Sequence, residues 1–364
     1  MKYKVDKNIR PVYLQIYRQL KEDIISGSYQ YNSKLPSKRL LADETGTSTI
    51  TIEHAYLLLC DEGYVESRER SGYFVIFRNS DGFALSPQIE PYSNKSIYEH
   101  HTSPSFPFSV LAKTMRGVIS DFGEGILEKS QNKGCPELRL AIKQYLSRNR
   151  GIHVDVEQIV IGSGAEYLYG LIIELLGRDR IYGIEYPSYK KIEEVYRASD
   201  VFCDTLRLSS DGIDSTSLAS TTATVLHTTP YRSYPTGVSA SANKRHEYIR
   251  WANSGDRYII EDDFESEFSV SSKPEDTLFA LSDKDNVIYL NTFSKTISPS
   301  LRVGYMVLPE RLVGAFDERL GFYSCTVPTF EQYVIARLLQ NGDFERHINK
   351  VRRNKRKELS GSSK

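Results

Sequence analysis

Short apolar segments alternate with helical patterns from residue 158 onward, and this alternation constrains the fold more than any other feature of the chain. Predicted strands such as Arg257–Ile260 and Val287–Leu290 are separated by stretches of helical periodicity such as Glu166–Leu176. Strands that alternate with helices predict an α/β domain with a mostly parallel sheet, whose ligands bind beyond the carboxyl ends of the strands. The remaining predicted strands are Gln158–Ile161, Arg180–Ile184, Thr224–Leu226 and Val303–Val307.

A segment rich in proline, serine, asparagine and histidine divides the chain. It runs from about Arg78 to Pro107 and shows neither helical nor alternating periodicity, which is typical of a linker. The chain has 364 residues, and since a domain averages about 150 residues, two or three domains are expected. We predict a first domain over residues 1–78, a linker over 79–106, a second domain over 107–358 and a polar tail over 359–364.

Charge and cysteine content exclude several classes of protein. The 47 lysines and arginines balance 47 aspartates and glutamates, so any affinity for nucleic acid must come from a local surface. The four cysteines lie far apart, without a CxxC pair or a histidine at metal spacing, and indicate neither disulfides nor a metal site. No apolar run is long enough for a signal peptide or a membrane span. We expect a cytoplasmic protein without membrane association.

Three helical patterns and a hairpin pattern make up the first domain. The first helix follows Pro11, and serines stand where the second and third helices begin, at Ser37 and Ser48. Serine at these positions accepts hydrogen bonds from the amides of the first turn and so favours a helix start. Two short strands joined by a charged loop are predicted within residues 64–75. This spacing indicates a helix-turn-helix followed by a wing.

These motifs resemble the GntR type of winged helix. The matching segments are Leu35–Ala42, Ser48–Ala55 and Ser71–Val75. The resemblance implies that the first domain binds double-stranded DNA. The residues expected to contact it are Ser37, Arg39, Ser48, Thr49, Thr51, His54, Arg68 and Arg70.

Two features of the first domain depart from a strong DNA-binding signature. Thr49 stands where the family usually has an arginine, and acidic Glu53 is predicted on the same exposed side of the third helix. Residues 1–80 contain 12 lysines and arginines against 10 aspartates and glutamates, a net charge of only +2. We therefore expect weak affinity for DNA, and a winged helix that makes only protein contacts is the alternative.

Polar residues follow two predicted strands of the second domain directly. Glu261–Asp263 follow one strand, Asn291–Lys295 follow the next, and Arg302 comes a turn later. A lysine can form an imine with pyridoxal 5'-phosphate, a carboxylate can keep its pyridine nitrogen protonated, and hydroxyl and guanidinium groups can hold its phosphate. Gly162–Ala165 lie between a strand and a helix, where backbone amides favour a phosphate.

In this order the residues resemble the fold-type I aminotransferases, and with the winged helix the chain resembles the MocR/GabR-type transcriptional regulators. The resemblance implies that Lys295 is the catalytic, Schiff-base lysine, that Asp262 pairs with the pyridine nitrogen and that Tyr189 stacks on the ring. The phosphate ligands that it implies are Gly164, Ala165, Thr292, Ser294 and Arg302. From the residues alone, Lys295 is alternatively a solvated lysine, Asp262 a structural cap and Tyr189 a core residue.

Three departures from that family stand out. Phe264 replaces a tyrosine that contacts the phenolic oxygen of the cofactor, and Tyr234 replaces a cofactor-contacting asparagine. A basic helical stretch, Arg346–Lys357, precedes the end of the chain at Lys364. In the family a smaller lobe with the carboxylate-binding arginine follows that stretch, and we expect this lobe to be lacking through truncation, frameshift or fragmentation. The basic stretch itself is either a solvated helix face or a second DNA contact.

The hypothesis that uses both domains is a homodimeric DNA-binding regulator with pyridoxal 5'-phosphate as its sensing cofactor. A small amino acid or a form of vitamin B6 is its expected effector, and sustained transamination is not expected. The alternatives are an active aminotransferase with an appended DNA-binding domain and a degenerate DNA-binding dimer without cofactor.

Overall fold

The computed structural model describes residues 3–6, 9–78, 106–263, 266–269 and 276–361. The chain divides into two compact units, Met1–Glu99 and His100–Lys364. The predicted linker lies outside the described residues except for Phe106, and so does Phe264.

The first unit is a three-helix domain with a hairpin. It contains α1 (Val12–Ile25), α2 (Lys38–Thr45), α3 (Thr49–Asp61), β1 (Val65–Arg68) and β2 (Gly72–Val75). The two strands pair antiparallel, with Val65 opposite Val75. The predicted helix-turn-helix and wing are confirmed.

Local sequence explains where these helices begin and end. Oγ of Ser37 accepts a hydrogen bond from the Leu40 amide, and Oγ of Ser48 accepts one from the Thr51 amide. Gly46 ends α2 with a φ of 62°, a left-handed conformation that glycine adopts without strain. Apolar residues at helical spacing on α1 and α3 then bury one shared core, which includes Ile16, Leu20, Ile24, Ile52, Tyr56 and Leu59.

The second unit alternates strands and helices around one large sheet. Its strands are β3 (Ile159–Gly162), β4 (Ile181–Tyr186), β5 (Phe202–Ser209), β6 (Gly212–Ile213), β7 (Val225–Thr228), β8 (Tyr258–Asp262), β9 (Val287–Thr292) and β10 (Gly304–Val307). Its helices are α4 (Phe108–Phe122), α5 (Pro136–Arg150), α6 (Ala165–Leu176), α7 (Lys190–Ala198), α8 (Ser215–Ser220), α9 (Ala242–Asn253), α10 (Leu278–Leu281), α11 (Glu310–Leu320), α12 (Thr329–Gln340) and α13 (Asp343–Gly361).

The strands of the second unit follow the order β3-β10-β9-β8-β7-β4-β5-β6. The pairs from β9 through β8, β7 and β4 to β5 are parallel, whereas β10 is antiparallel to both β9 and β3. The predicted α/β domain with a mostly parallel sheet is confirmed. Because β10 runs against its neighbours, its first residue, Gly304, lies at the edge where the parallel strands end.

Apolar residues cover both faces of the sheet. On β9, Tyr289 packs into a core with residues of α5 and α12, and Ile288 and Leu290 pack into another core with residues of α6 and α11. Successive side chains of a strand point to opposite faces, so a central strand covered on both sides must be apolar throughout. The last helix, α13, ends at Gly361 and extends into the segment predicted as a polar tail.

Candidate functional site

The first turn of α6 forms an anion-binding corner with the loop between β9 and β10. Gly164 precedes α6 with a φ of 95°, and a Cβ atom at this position would lie 3.2 Å from Nη2 of Arg302. Glycine therefore serves both the backbone conformation and the close approach of the guanidinium. Arg302 reaches this corner because it lies two residues before the antiparallel strand β10. The first turn of a helix presents amides without an intrahelical acceptor, although the amide of Gly164 itself donates to the carbonyl oxygen of Gly162 at 2.8 Å. Such amides and an arginine together favour an anion.

A carboxylate lies in this corner. Glu166, in the first turn of α6, pairs through Oε2 with Nη2 of Arg302, and Nζ of Lys191 lies 3.3 Å from its Oε1. Burial alone would raise the pKa of Glu166, but the hydrogen bonds from Arg302 and Lys191 outweigh it and lower that pKa below its ordinary value. Glu166 is therefore an anion bound by two cations.

Asp262 is the last residue of the buried strand β8, and among the described residues only one of its two carboxylate oxygens accepts a hydrogen bond. Its Oδ2 accepts a hydrogen bond from the hydroxyl of Tyr169 on α6, and Nε2 of His227 lies 3.7 Å away. Its Oδ1 is buried without a hydrogen-bond partner among the described residues. A buried carboxylate oxygen without a hydrogen-bond donor lowers the stability of the folded state. An N–H or O–H group of a ligand could supply the missing hydrogen bond to this atom.

Tyr169 and His227 both lie beside Oδ2 of Asp262, but only Tyr169 makes a hydrogen bond to it, since Nε2 of His227 is buried without a hydrogen-bond partner among the described residues. Burial, followed by the charge of Asp262, raises the pKa of Tyr169 well above its ordinary value, so that its hydroxyl keeps its proton and donates. Nδ1 of His227 lies 2.7 Å from the hydroxyl of Tyr196, which fixes the orientation of the imidazole. Both tyrosines and the histidine are buried.

Three further candidate residues lie at and just after the end of β9, at the carboxyl edge of the sheet. Thr292 is its last residue and is buried, Ser294 is half-buried with Oγ 3.4 Å from the carbonyl oxygen of Leu301, and Lys295 is exposed. Strand β9 pairs directly with β8, so these residues lie at the same edge of the sheet as Asp262.

Helix α6 connects the two halves of the site. Its first turn contacts Arg302, and Tyr169, five residues after Gly164, contacts Asp262. Five residues along a helix correspond to a rise of about 7.5 Å, so the two contacts lie at separate places along this helix. Ala165 is the first residue of this helix.

Tyr189 lies at the start of α7, two residues before Lys191. The residue is 41% exposed, and its ring meets the ring of Tyr234 edge-on, with 5.9 Å between centroids. The core alternative for Tyr189 is wrong, because a core tyrosine would be buried.

Four residues of this site were missed by the sequence analysis. His227 follows an apolar run at a strand end, and this signal could have identified it. Tyr169 falls within the apolar pattern of α6 and resembles a core residue. The contact of Glu166 with Lys191 joins two helices, and no local pattern predicts it.

The predicted DNA-contacting residues of α2 and α3 lie around the start of both helices, except His54, which lies near the middle of α3. Arg39 and Thr49 are exposed, and His54 is exposed with its ring edge-on to Tyr13. The hydroxyl of Thr51 lies 2.8 Å from that of Ser48, so both belong to the helix cap. Ile50, which the sequence analysis missed, is 63% exposed at the start of α3.

The two predicted wing arginines differ in their surroundings. Arg68 donates to Glu66 and to Oδ1 of Asn32, and its guanidinium lies 4.3 Å from the ring centroid of Phe74. Arg70 lies in the turn between the strands with a φ of 57°, and its side chain is 92% exposed. Arg70 is therefore the wing cation that is more available to an external phosphate.

The described residues meet neither the requirements of a membrane-spanning helix nor those of a metal site. No helix among the described residues combines the length and the apolar character needed to cross a membrane. Within the same residues, no group of three or more histidine, cysteine, aspartate or glutamate side chains could hold a metal ion.

Comparison with known families assigns both units. The family described as bacterial regulatory proteins, gntR family, matches residues 12–75. The family described as aminotransferase class I and II matches residues 104–360. Kynurenine aminotransferase of Pyrococcus horikoshii, solved in complex with PMP, has a TM-score of 0.62 and 25% identity, covering 70% of this chain and 66% of its own.

Relatives of known sequence share both units. The uncharacterised HTH-type transcriptional regulator YdeL of Bacillus subtilis (strain 168) is 33% identical over 95% of this chain and 77% of its own. MocR of Rhizobium meliloti, named as a probable rhizopine catabolism regulatory protein, is 26% identical over 94% of this chain and 74% of its own.

A gntR-family helix-turn-helix joined to an aminotransferase-like domain defines a class of DNA-binding transcriptional regulator. The chain belongs to this class, the MocR-type regulators. The resemblance seen in the sequence is thereby confirmed, as are the winged helix-turn-helix and the fold-type I domain.

Proposed function

We propose that this regulator binds pyridoxal 5'-phosphate in its second unit and uses it as a sensing group. The observation that carries the proposal is the buried Oδ1 of Asp262, which has no hydrogen-bond partner among the described residues and lies at the carboxyl edge of the sheet, with Tyr169 and His227 beside the other carboxylate oxygen. When bound, the cofactor supplies an electrophilic carbonyl and a protonated pyridine ring.

The other residues of the edge fit the remaining parts of the cofactor. Asp262 would keep the pyridine nitrogen protonated by accepting its hydrogen bond. Arg302 and the amides of Gly164 and Ala165 would hold the phosphate, and Lys295 would hold the aldehyde carbon. The remaining groups proposed at the site are the hydroxyls of Thr292 and Ser294 and the ring of Tyr189.

The first unit supports the regulatory half of the proposal. Ser37, Arg39 and Ser48 would position the helix-turn-helix on DNA phosphates, and Thr49 and His54 would lie near base edges in the major groove. Thr51 would act through the cap of α3, and Arg68 and Arg70 would contact phosphates from the wing.

We further propose that the protein acts as a cytoplasmic homodimer and responds to a small amino acid or a vitamin B6 compound. Large apolar side chains are exposed on the second unit, which favours self-association. They include Phe108, Ile119, Leu127 and Phe322.

The proposal is tested by covalent trapping in the full-length protein. Purified protein is titrated with pyridoxal 5'-phosphate, its absorption spectrum is recorded, and the complex is reduced with borohydride and digested. We expect one modified peptide, which carries the cofactor on Lys295, and none in Lys295→Ala. Lys284→Ala is the matched control, because Lys284 is also exposed but precedes β9 at the opposite edge. Modification spread over surface lysines would contradict the cofactor site.

A further inference from the structure

Two cations from separate elements converge on one carboxylate at the start of α6. Arg302 comes from the loop between β9 and β10, and Lys191 comes from the first turn of α7, yet both pair with Glu166. The Lys191 and Glu166 side chains are 53% and 32% exposed, so the cluster is open to a ligand from solution.

This carboxylate lies where an external oxyanion would bind. Glu166 is in the first turn of α6, and Arg302 packs over Gly164, the residue that precedes the helix. A carboxylate and a phosphate accept hydrogen bonds from the same guanidinium and ammonium donors. They therefore compete for Arg302 and Lys191, and two anions sharing this corner repel each other.

We propose that Glu166 is a resident anion of the phosphate subsite, that a phosphate-bearing ligand displaces it, and that Lys191 then becomes a phosphate-binding residue. This inference rests on the proposed cofactor site. The displacement lowers affinity for the phosphorylated ligand and leaves the affinity for its unphosphorylated counterpart unchanged. Because the affinity is lower, the fraction of protein that carries the ligand rises and falls with the ligand concentration, as a sensor requires.

The chain supplies matched controls for both residues. Lys190, directly before Lys191, pairs with Glu194 on its own helix, and its side chain is 85% exposed. Glu174, near the end of α6, pairs with Arg178 four residues later. Neither control pair contacts Arg302.

The first experiment compares the dissociation constants of pyridoxal 5'-phosphate and pyridoxal for the full-length protein. We expect Glu166→Gln to bind pyridoxal 5'-phosphate about tenfold more tightly than the unaltered protein, because the phosphate no longer competes with a carboxylate. Binding of pyridoxal, which has no phosphate, stays unchanged. Glu174→Gln leaves both constants unchanged.

The second experiment tests Lys191 after the competing carboxylate has been removed. Adding Lys191→Met to Glu166→Gln weakens the binding of pyridoxal 5'-phosphate about tenfold, because a charged phosphate contact is lost. Adding Lys190→Met has no such effect. Equal effects of the two lysine changes would show a general loss of positive potential and would overturn the role of Lys191.

The remaining outcomes separate this inference from the proposed function. If the unaltered protein binds the cofactor at Lys295 while Glu166→Gln and Glu166→Ala, shown to be folded by circular dichroism, bind it no more tightly, the inference alone fails. Equal tightening for pyridoxal and its phosphate also overturns it. If the unaltered protein and both Glu166 variants bind no cofactor, the proposed function fails and the inference with it.

Discussion

Nζ of Lys38, the first residue of α2, lies 2.5 Å from Oε1 of Glu53 on α3. The acidic residue that weakened the DNA-binding signature in the sequence is therefore neutralised by a lysine from the neighbouring helix. Both side chains are more than a third exposed, so the pair contributes little to stability. Its consequence is electrostatic, because the lysine compensates the negative charge of a carboxylate on the helix that is expected to approach DNA.

We predict that Lys38→Ala weakens binding to random-sequence duplex DNA about two- to tenfold, because it leaves Glu53 unpaired opposite phosphates. Glu53→Gln added to Lys38→Ala restores binding to near the original value. Fluorescence anisotropy at low salt measures both. Lys21→Ala is the matched control, since it removes the lysine that pairs with Glu62 just beyond the end of α3, where the hydroxyl of Tyr17 still donates to the carboxylate. If the double variant binds as weakly as Lys38→Ala, Lys38 contacts DNA itself and the neutralising role is wrong.

The wing offers a second prediction. Each phosphate contact that is lost reduces the slope of log K against log salt by about 0.9. The side chain of Arg70 is 92% exposed and its Nε lies 3.8 Å from Oε1 of the similarly exposed Glu69, a pair that DNA phosphate can replace, and we expect Arg70→Ala to reduce the slope by about one contact. Arg68 is engaged by Glu66, Asn32 and the ring of Phe74, so Arg68→Ala changes the slope less and also destabilises the hairpin. Unchanged slopes in both variants would remove the wing from the DNA interface.

Asp262 gives a third prediction, on cofactor affinity. Asp262→Asn is expected to weaken binding of pyridoxal 5'-phosphate about tenfold to hundredfold, because a charged hydrogen bond to the ring nitrogen is lost. Tyr169→Phe keeps the charge and removes one supporting donor, so its loss is smaller. The dissociation constants come from absorbance titration of the full-length protein.

The control for this series is Asp256→Asn, since Asp256 pairs with Arg180 outside the proposed site, before β8 begins. It should bind the cofactor as the unaltered protein does. A larger loss in Tyr169→Phe than in Asp262→Asn would contradict the assignment of Asp262 to the ring nitrogen.

The sequence predicts those parts of the fold whose signals are local. Asp262 and Thr292 were found because buried apolar runs lead directly to them, and the caps at Ser37 and Ser48 were found because capping depends on neighbouring amides. Strand β5 was missed because Leu206 is its only buried residue, so it lacks an apolar run.

Contacts between distant segments could not be predicted in the same way. The contact of Lys191 with Glu166 depends on how α6 and α7 pack, and the position of Arg302 depends on the reversed direction of β10. The support of Asp262 by Tyr169 joins residues 93 positions apart. Each of these depends on the order of strands in the sheet, which no single segment encodes.

A buried carboxylate beside the site gives the last prediction, on pH and stability. Glu261 accepts hydrogen bonds from the amides of Leu278 and Phe279 and from the hydroxyl of Tyr231. Burial, followed by the charge of Asp263, raises its pKa to about 7, from an ordinary value of 4.5. The folded state therefore binds this proton more tightly than the unfolded state does. The resulting stabilisation, at most about 3 kcal/mol, is complete below pH 4.5 and is lost as the pH rises to about 7.

Urea unfolding of the full-length protein between pH 5 and pH 8 measures this effect. We expect the free energy of unfolding to fall across this range more steeply in the unaltered protein than in Glu261→Gln, which has no titrating group at this position. The two curves therefore converge with rising pH, although the amide loses one acceptor and costs about 1–3 kcal/mol at low pH. Glu318→Gln, at an exposed position on α11, should give a curve parallel to that of the unaltered protein. Parallel curves for Glu261→Gln as well would show that Glu261 does not take up a proton in this range.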